Sequence, residues 1–394
     1  MNDSLQKGMI TLVQSALTGK TLPLPDDFDL ASAEKLIRNH QIGSLIYEGA
    51  IRCKVDPHLP IMQKLQHITY QSMHVDANQQ RLLTEVLGAF DENGIAYMPL
   101  KGILLKPLYP RSDMRTMSDA DILINLEQYD NIRPLMAGLG FAEKLESDHE
   151  LVWTKSCLYL ELHKRLIPSY NKDYAAYFGD GWKLAQPCGD SSTRHEMTAE
   201  DQLLYLFIHF AKHYRDGGIG IRHMVDLYVY KRANPQLDET YIAQELKKLQ
   251  VYDFYRNICH TLGVWFENDA PSEKSRLITN AVFDSGSYGT KADSLAANGV
   301  RLMADGDSAK VVWQKQLLQM IFPSRQVLCK RYPILKTLPV LLPVMWILRW
   351  ISGVFCRREN IRLQQNRLQM MQEDRINRYR QALEAVDLSF HFEE

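Results

Sequence analysis

Apolar residues recur at three-to-four spacing in "SLQKGMITLVQSAL" and "SAEKLIRNHQIGSLIYEGAI", which predicts helices across residues 4 to 75. From about residue 76 a long helix carries Leu82, Leu83, Val86, Leu87 and Phe90 on one face and stops at the Asn-Gly of "DENG". The period then falls to two. "IAYMPL" reads as a strand, and in "SDADILIN" alternation puts Ala120, Ile122 and Ile124 on one face and Asp119 and Asp121 on the other. A helix follows from Leu126 to Leu139, with "GLGF" ending it in the manner of a glycine C-cap. "LVWTKSCLYLELHKRL" predicts a hairpin about Lys155-Ser156-Cys157, with Leu158, Leu160 and Leu162 opposite Tyr159, Glu161 and His163. Beyond residue 195 the helical period returns. "TAEDQLLYLFIHFAKHY" opens with Thr198 and Asp201 in capping-box spacing and buries Leu203, Leu206, Phe207 and Phe210. "RDGGIGIRHMVDLYVYKR" adds a glycine turn and a second helix, whereas residues 266 to 310, rich in Asn, Asp, Ser and Gly, predict a long connection or weakly structured insert.

This order of periods describes an α+β protein: a helical N-terminal region (1–75), a small α/β core (76–175) and a large helical C-terminal region (176–394). The chain has 394 residues, 45% of them hydrophobic, which supplies apolar area for two or three packed units. Lys and Arg total 46 against 47 Asp and Glu, so no overall field draws in nucleic acid or anionic lipid, and such a partner would need a local patch. The six cysteines are scattered without C-x-x-C spacing, as in a reduced, cytoplasmic chain. The first twenty residues carry an acid at position 3 and polar breaks unlike a signal peptide.

The apolar and basic segment 330–358 contains "LPVLLPVMWILRWISGVFCRR", the most apolar run of the chain. A spanning helix needs about 20 apolar residues, and this run is broken by Pro339, Pro343 and Arg349. Lys330, Arg331 and Lys336 before it and Arg357 and Arg358 after it suit a peripheral position on the inner face of an anionic membrane. A core helix packed on the α/β unit is the simpler reading of the same pattern. The final run from "RRENIRLQ" onward reads as a solvated charged helix, because Glu and Asp interrupt its basic residues, and nucleic acid is not an expected partner.

The chemistry concentrates in residues 98 to 124, "MPLKGILLKPLYPRSDMRTMSDADILI". Asp119 and Asp121 on one strand face, with Glu161 on the polar face of the hairpin, form an oxygen set suited to paired Mg²⁺ ions roughly 3.5 to 4 Å apart. Such ions activate an attacking hydroxyl and neutralise a transferring phosphoryl group, while Lys or Arg cradles the other phosphates. Lys101, Lys106, Arg111 and Arg115 all lie shortly before the acids. A D-x-D alone is an ordinary feature of a strand's solvent face; Lys101-Gly102, the basic stretch and Glu161 set this one apart. His209 and His213, four apart on a helix, could clamp zinc if Asp226 came near, although H-E-x-x-H is absent; a polar face lining a cleft, or a buried hydrogen-bonded pair, fits the same spacing. Lys212 could meet a phosphate or be solvated, and His163, sharing the Glu161 face, could orient substrate or bond a neighbouring strand.

The run "LKG", then "RTMSDADILI", then "ELHKRL" resembles the uncharacterised nucleotidyltransferase family of the DNA polymerase β superfamily. The helices "EDQLLYLFIHFAKHY" and "IRHMVDL" are similar to its C-terminal helical part, so the likeness covers roughly residues 80 to 230, with weaker echoes at "FPSR", 322 to 325. The resemblance implies a small mixed-sheet nucleotidyltransferase core and an Mg²⁺- or Mn²⁺-dependent enzyme that moves a nucleoside monophosphate from a nucleoside triphosphate to a hydroxyl acceptor. Carried over residue by residue, it assigns metal binding to Asp119, Asp121 and Glu161, and the glycine-containing turn to Lys101 and Gly102. The wider superfamily has Gly-Gly or Gly-Ser at that turn, so here the Lys101 side chain alters or supplements the phosphate cradle. Arg115 and Ser118 are the next candidates for phosphate contact, with a surface salt bridge and a strand-start hydroxyl as their plain alternatives. His163, His209, Lys212 and His213 are substrate candidates. The acceptor is a sugar, a glycan precursor, a protein hydroxyl or an RNA end; the family's occurrence near bacterial surface-polysaccharide genes points to the glycan setting. Two other readings stay open: transfer from a nucleotide sugar at the same metal site, and a non-catalytic protein that docks a membrane or partner through 338–358.

Overall fold

The computed structural model describes residues 3–286, 289, 291–304, 311, 314, 318, 321–329, 332–336, 338–356 and 373–389. The chain divides into two compact units, Met1–Tyr214 with Ile219–Tyr288, and Arg215–Gly218 with Gly289–Glu394.

In the first unit α1 (Asp3–Thr18), α2 (Glu34–His40) and α3 (Gly43–Arg52) precede α4 (Pro60–Glu92). α1 and α3 approach so closely that a Cβ on Gly49 would lie 2.0 Å from the Leu12 carbonyl oxygen. α4 runs unbroken for 33 residues, with Pro60 in its first turn, where a missing N–H leaves no bond unmade. The helix expected to start near residue 76 therefore starts at Pro60. Its buried stripe passes through Leu65, Thr69, Asp76 and Gln79 before reaching Leu82, Val86 and Phe90, and this polar middle interrupts the apolar period. Asp76 pairs with buried Lys106 at 2.6 Å. Gln79 Nε2 donates to the carbonyls of Met117 (3.0 Å) and Cys157 (3.2 Å).

β1 (Tyr97–Pro99), the short α5 (Gly102–Leu105), β2 (Ala120–Ile124), α6 (Tyr129–Gly138), β3 (Ala142–Glu146), β4 (Glu150–Lys155) and β5 (Leu158–His163) follow. The strands form one sheet in the order β1-β2-β5-β4-β3. β2 and β5 are parallel and the other neighbours antiparallel, so the sheet is mixed, as the family resemblance implies. One face presents Ile122, Ile124, Leu160 and Leu162 to Val86 and Phe90 of α4 and to Ile132 and Met136 of α6. Burying each such side chain is worth about 1.5–3 kcal/mol, which fixes the register and turns the alternate residues to the opposite face. The helix expected at Leu126 to Leu139 is a 3₁₀ turn, Leu126–Gln128, running into α6.

α7 (Lys172–Phe178) and a two-stranded ribbon, β6 (Gln186–Pro187) with β7 (His195–Glu196), lead to α8 (Ala199–Arg215), α9 (Ile221–Ala233), α10 (Glu239–Lys248), α11 (Tyr252–Phe266) and α12 (Glu273–Ser285). The Asp201 N–H donates to Thr198 Oγ1 at 3.1 Å and caps α8 as its sequence predicts. The connection expected over residues 266 to 310 is corrected by α12 and by α13 (Lys291–Ala304) of the second unit. Reciprocal bonds between Ser272 and Ser275 start α12, and Ile278, Val282 and Phe283 bury a stripe that the polar composition conceals. Gln14 of α1 donates to the Phe266 carbonyl at 2.8 Å, which ties the first helix to α11.

In the second unit α13 packs on the helix Glu373–Glu384, and the buried Arg215 donates to the Ser389 carbonyl at 3.3 Å. The helix Leu342–Cys356 follows a 3₁₀ turn, Pro339–Leu341. Trp346 donates to the Pro323 carbonyl at 2.9 Å and meets Phe322 edge to face. Val340, Val344, Ile347 and Leu348 are exposed, where a core helix would bury them. No helix among the described residues is long and apolar enough to cross a membrane. Lys330, Arg331, Arg357 and Arg358 lie outside the described residues, as does the predicted charged helix before Glu373.

Candidate active site

The core-facing alternation of β2 and β5 leaves their other face polar. The parallel register sets Asp121 beside Glu161 and Leu123 beside His163. Across the hairpin, the antiparallel register sets Glu150 opposite His163. Residues directly paired across strands share a face, so Asp121, Glu161, His163 and Glu150 project the same way, with Asp119 one step before β2. They line a cavity of about 460 Å³ together with Lys101, Gly102, Arg115 and Ser118 from the β1–β2 segment and His209, Lys212 and His213 from α8. The structure thus gathers these candidates into one cavity, while Lys106 and Arg111 of the basic stretch lie outside its lining.

Lys101 has φ 43° and ψ −111°, a conformation natural to glycine. Its ammonium lies 2.7 Å from Asp121 Oδ1, and His163 Nε2 lies 2.8 Å from the same oxygen. Burial opposes charge on Lys101, but Asp121 outweighs it and holds the ammonium above its ordinary value. Burial likewise would raise Asp121, yet Lys101 and His163 hold it well below the usual carboxylate range. Asp119 goes the other way: burial, then the like charges of Asp121 and Glu161, push it up. Glu150 is also pushed up, by burial and then by Glu161. Burial and the Lys101 charge resist protonation of His163, while its bonds to Asp121 and Glu161 outweigh them and raise it.

The four basic residues ahead of the acids part company. Lys106 is paired with Asp76, and Arg111 with Glu48 and Asp113. Arg115 gives Nε and Nη2 to Asp226 of α9 at 2.8 and 2.9 Å, and Tyr109 donates to the same carboxylate at 2.7 Å. A Cβ on Gly102 would lie 2.7 Å from Arg115 Nη1, so glycine here makes room for the guanidinium. Asp226 is therefore occupied, and the zinc clamp with His209 and His213 is not assembled. Those two rings bond each other, Nε2 to Nε2, at 3.0 Å, and burial drives both well below the ordinary histidine value.

His149, Glu150, Arg222 and His223 also line the cavity and escaped the sequence reading. Glu150 begins β4 one residue before the apolar run from which the hairpin is recognisable; its signal is the cross-strand position opposite His163. His149 is pushed down to about 2, by burial and then by the charges of His163 and Lys101. Arg222 donates to the carbonyl and hydroxyl of Thr116 at 3.0 and 3.2 Å, so α9 grips the segment entering β2 at two points.

Comparison with known proteins gives the family of the chain. The uncharacterised nucleotidyltransferase family matches residues 26–267. No curated protein matches the chain. Among solved structures, the antibiotic-resistance factor ANT(2'')-Ia, determined in solution, is 13% identical with a TM-score of 0.32, the alignment covering 49% of this chain and 100% of that one. With more than half of its length inside the family match, the chain belongs to the uncharacterised nucleotidyltransferase family and is a transferase enzyme.

Proposed function

We propose that the protein transfers a nucleoside monophosphate from a nucleoside triphosphate to a hydroxyl acceptor, with the polar face of β2 and β5 as its catalytic surface. The observation that carries this reading is the register that sets Asp121 beside Glu161, with Asp119 just upstream and Lys101 against Asp121. Three carboxylates suit a hard divalent cation. The upward displacement of Asp119 by burial and by its acidic neighbours marks a cluster short of positive charge. Asp119, Asp121 and Glu161 would therefore hold Mg²⁺ or Mn²⁺. When bound, the cation would neutralise charge on the phosphoryl group and acidify the attacking hydroxyl.

The acceptor oxygen forms a bond to the α-phosphorus and releases its proton to water as the bond to the pyrophosphate oxygen breaks and pyrophosphate leaves. Lys101, whose ammonium is held at the cavity wall, meets the departing phosphates, and the absence of a side chain on Gly102 lets a phosphate approach the backbone. Arg115 is fixed through two nitrogens by Asp226, and the Nη1 side, beside Gly102, is the part that reaches the donor. Ser118, exposed just before Asp119, offers a hydroxyl to the same group. His163, His209, Lys212 and His213 form the wall that receives the acceptor, for which a sugar, a glycan precursor or a protein hydroxyl is the chemical class, in a surface-polysaccharide setting. A cytoplasmic enzyme working near the inner face of the membrane fits this reading.

Isothermal titration of ATP, GTP, CTP and UTP in Mg²⁺ and then in EDTA tests it. At least one triphosphate should bind in Mg²⁺, and binding should vanish in EDTA and in the Asp119→Asn, Asp121→Asn double variant. Absence of binding to all four would overturn triphosphate as donor. A second reading, transfer from a nucleotide sugar, is favoured by Lys101 standing at a glycine-like turn; it requires nucleotide sugars to bind where triphosphates do not.

A further inference from the structure

We propose that His149, Glu150 and His163 bind a transition-metal ion of borderline softness, Zn²⁺ by default, at the open end of the β4–β5 hairpin. The site stands on its own residues and does not depend on the identity of the nucleotide donor. One ligating atom from each of the three side chains lies within 4.8 Å of the other two. His149 Nε2 is 3.8 Å from Glu150 Oε2, close to the roughly 3.3 Å separation of two ligands around a tetrahedral zinc ion. The imidazoles meet edge to face with centroids 4.8 Å apart. Regular backbone holds the group in place: Glu150 and His163 are cross-strand partners, and the Lys164 N–H donates to the His149 carbonyl at 2.8 Å.

The independent observation is a deficit of partners. His163 is 1% exposed, and its Nδ1, the ring nitrogen not bonded to Asp121, is buried with no hydrogen-bond partner. An orphaned buried nitrogen is costly. His163 Nε2 already bonds Asp121, the carboxylate–imidazole arrangement that orients a metal-bound histidine, and metal binding displaces a proton from the opposite nitrogen. A water molecule could donate to only two of three lone pairs, whereas a divalent cation accepts all three. Two nitrogens and one oxygen suit zinc, cobalt or manganese, while three oxygens suit magnesium, so ligand chemistry sorts two ions into one cavity. The three side chains face the cavity, which leaves the remaining coordination position open to a water or a substrate oxygen.

Co²⁺ titration of the purified full chain, followed by visible ligand-field absorption, tests the proposal. One equivalent should bind, be displaced by Zn²⁺ and resist millimolar Mg²⁺. His149→Ala and Glu150→Gln should each weaken Co²⁺ at least tenfold, with an unchanged far-ultraviolet circular dichroism spectrum, while Asp119→Asn should alter it less than threefold. Failure to bind Co²⁺ overturns the site. So does binding that survives His149→Ala but is lost in Asp119→Asn, which would give the ion to the carboxylates, or a cobalt–thiolate charge-transfer band, which would give it to a cysteine. These outcomes are separate from the nucleotide titration, which can fail while Co²⁺ binding succeeds.

Discussion

Lys101 keeps a backbone conformation that side chains resist, at a strain on the order of 1–3 kcal/mol, because its ammonium answers the buried charge of Asp121. At Asp119 and Glu150 burial and acidic neighbours outweigh the nearby positive charge, and their raised values work against the fold. Each is destabilising at neutral pH, and that penalty fades as pH falls through its raised value. Asp121 has the opposite sign: its lowered value contributes stability above the ordinary carboxylate range, lost only as pH falls through that lowered value. Mg²⁺ should therefore raise the thermal midpoint at pH 7.5 by more than near pH 4.5. In EDTA, Asp119→Asn should be more stable than wild type by on the order of 1 kcal/mol. An equal Mg²⁺ shift in the Asp119→Asn, Asp121→Asn variant, read by differential scanning fluorimetry, would remove the carboxylates as the binding site. At this scale the strand acids were legible because period-two alternation assigns faces directly. Glu150 and His149 were not, since their importance arises from a neighbour thirteen or more positions away, across a register that no local pattern displays.

Helices and strands show where pattern reading succeeds and where it loses the thread. The hairpin about Lys155 to Cys157 and the cap at Thr198 were readable because the turn, the alternation and the capping oxygen are local. α4 was divided because its buried stripe turns polar at Asp76 and Gln79, whose partners lie in distant segments. The basic stretch before the acids divides in the same way: Lys106 and Arg111 are paired with Asp76 and Glu48 on other elements, whereas Arg115, though held by Asp226, lines the cavity. The Arg115–Asp226 pair joins the β1–β2 segment to α9 in a buried setting, with Tyr109 on the same carboxylate. Asp226→Ala should destabilise the fold by about 3–5 kcal/mol by stranding a buried guanidinium. Replacing both partners by leucine should cost less than either single change, since no charge is then left unpaired. Urea unfolding of the four proteins measures this, and additive losses would show that the two residues do not act as a pair.

On the scale of the whole chain, the family match ends at residue 267, ahead of the second unit's main segment, Gly289–Glu394. That segment carries the exposed Val340, Val344, Ile347 and Leu348, an apolar surface between runs of basic sequence. Anionic vesicles should co-sediment the protein, and Val340→Glu with Ile347→Glu should abolish this while leaving nucleotide titration unchanged; equal sedimentation of the variant would exclude lipid as the occupant. In the first unit the long helix α4 braces the two acid-bearing segments from outside the cavity. The Gln79 amide is bonded at once to the carbonyl of Met117, two residues before Asp119, and to that of Cys157, at the turn leading into Glu161. The two acid-bearing rails cannot part without breaking one of those bonds. The gauge between them, and so the ionic radius they would accept, is set by the β2–β5 ladder and braced at its entry by a side chain outside the cavity.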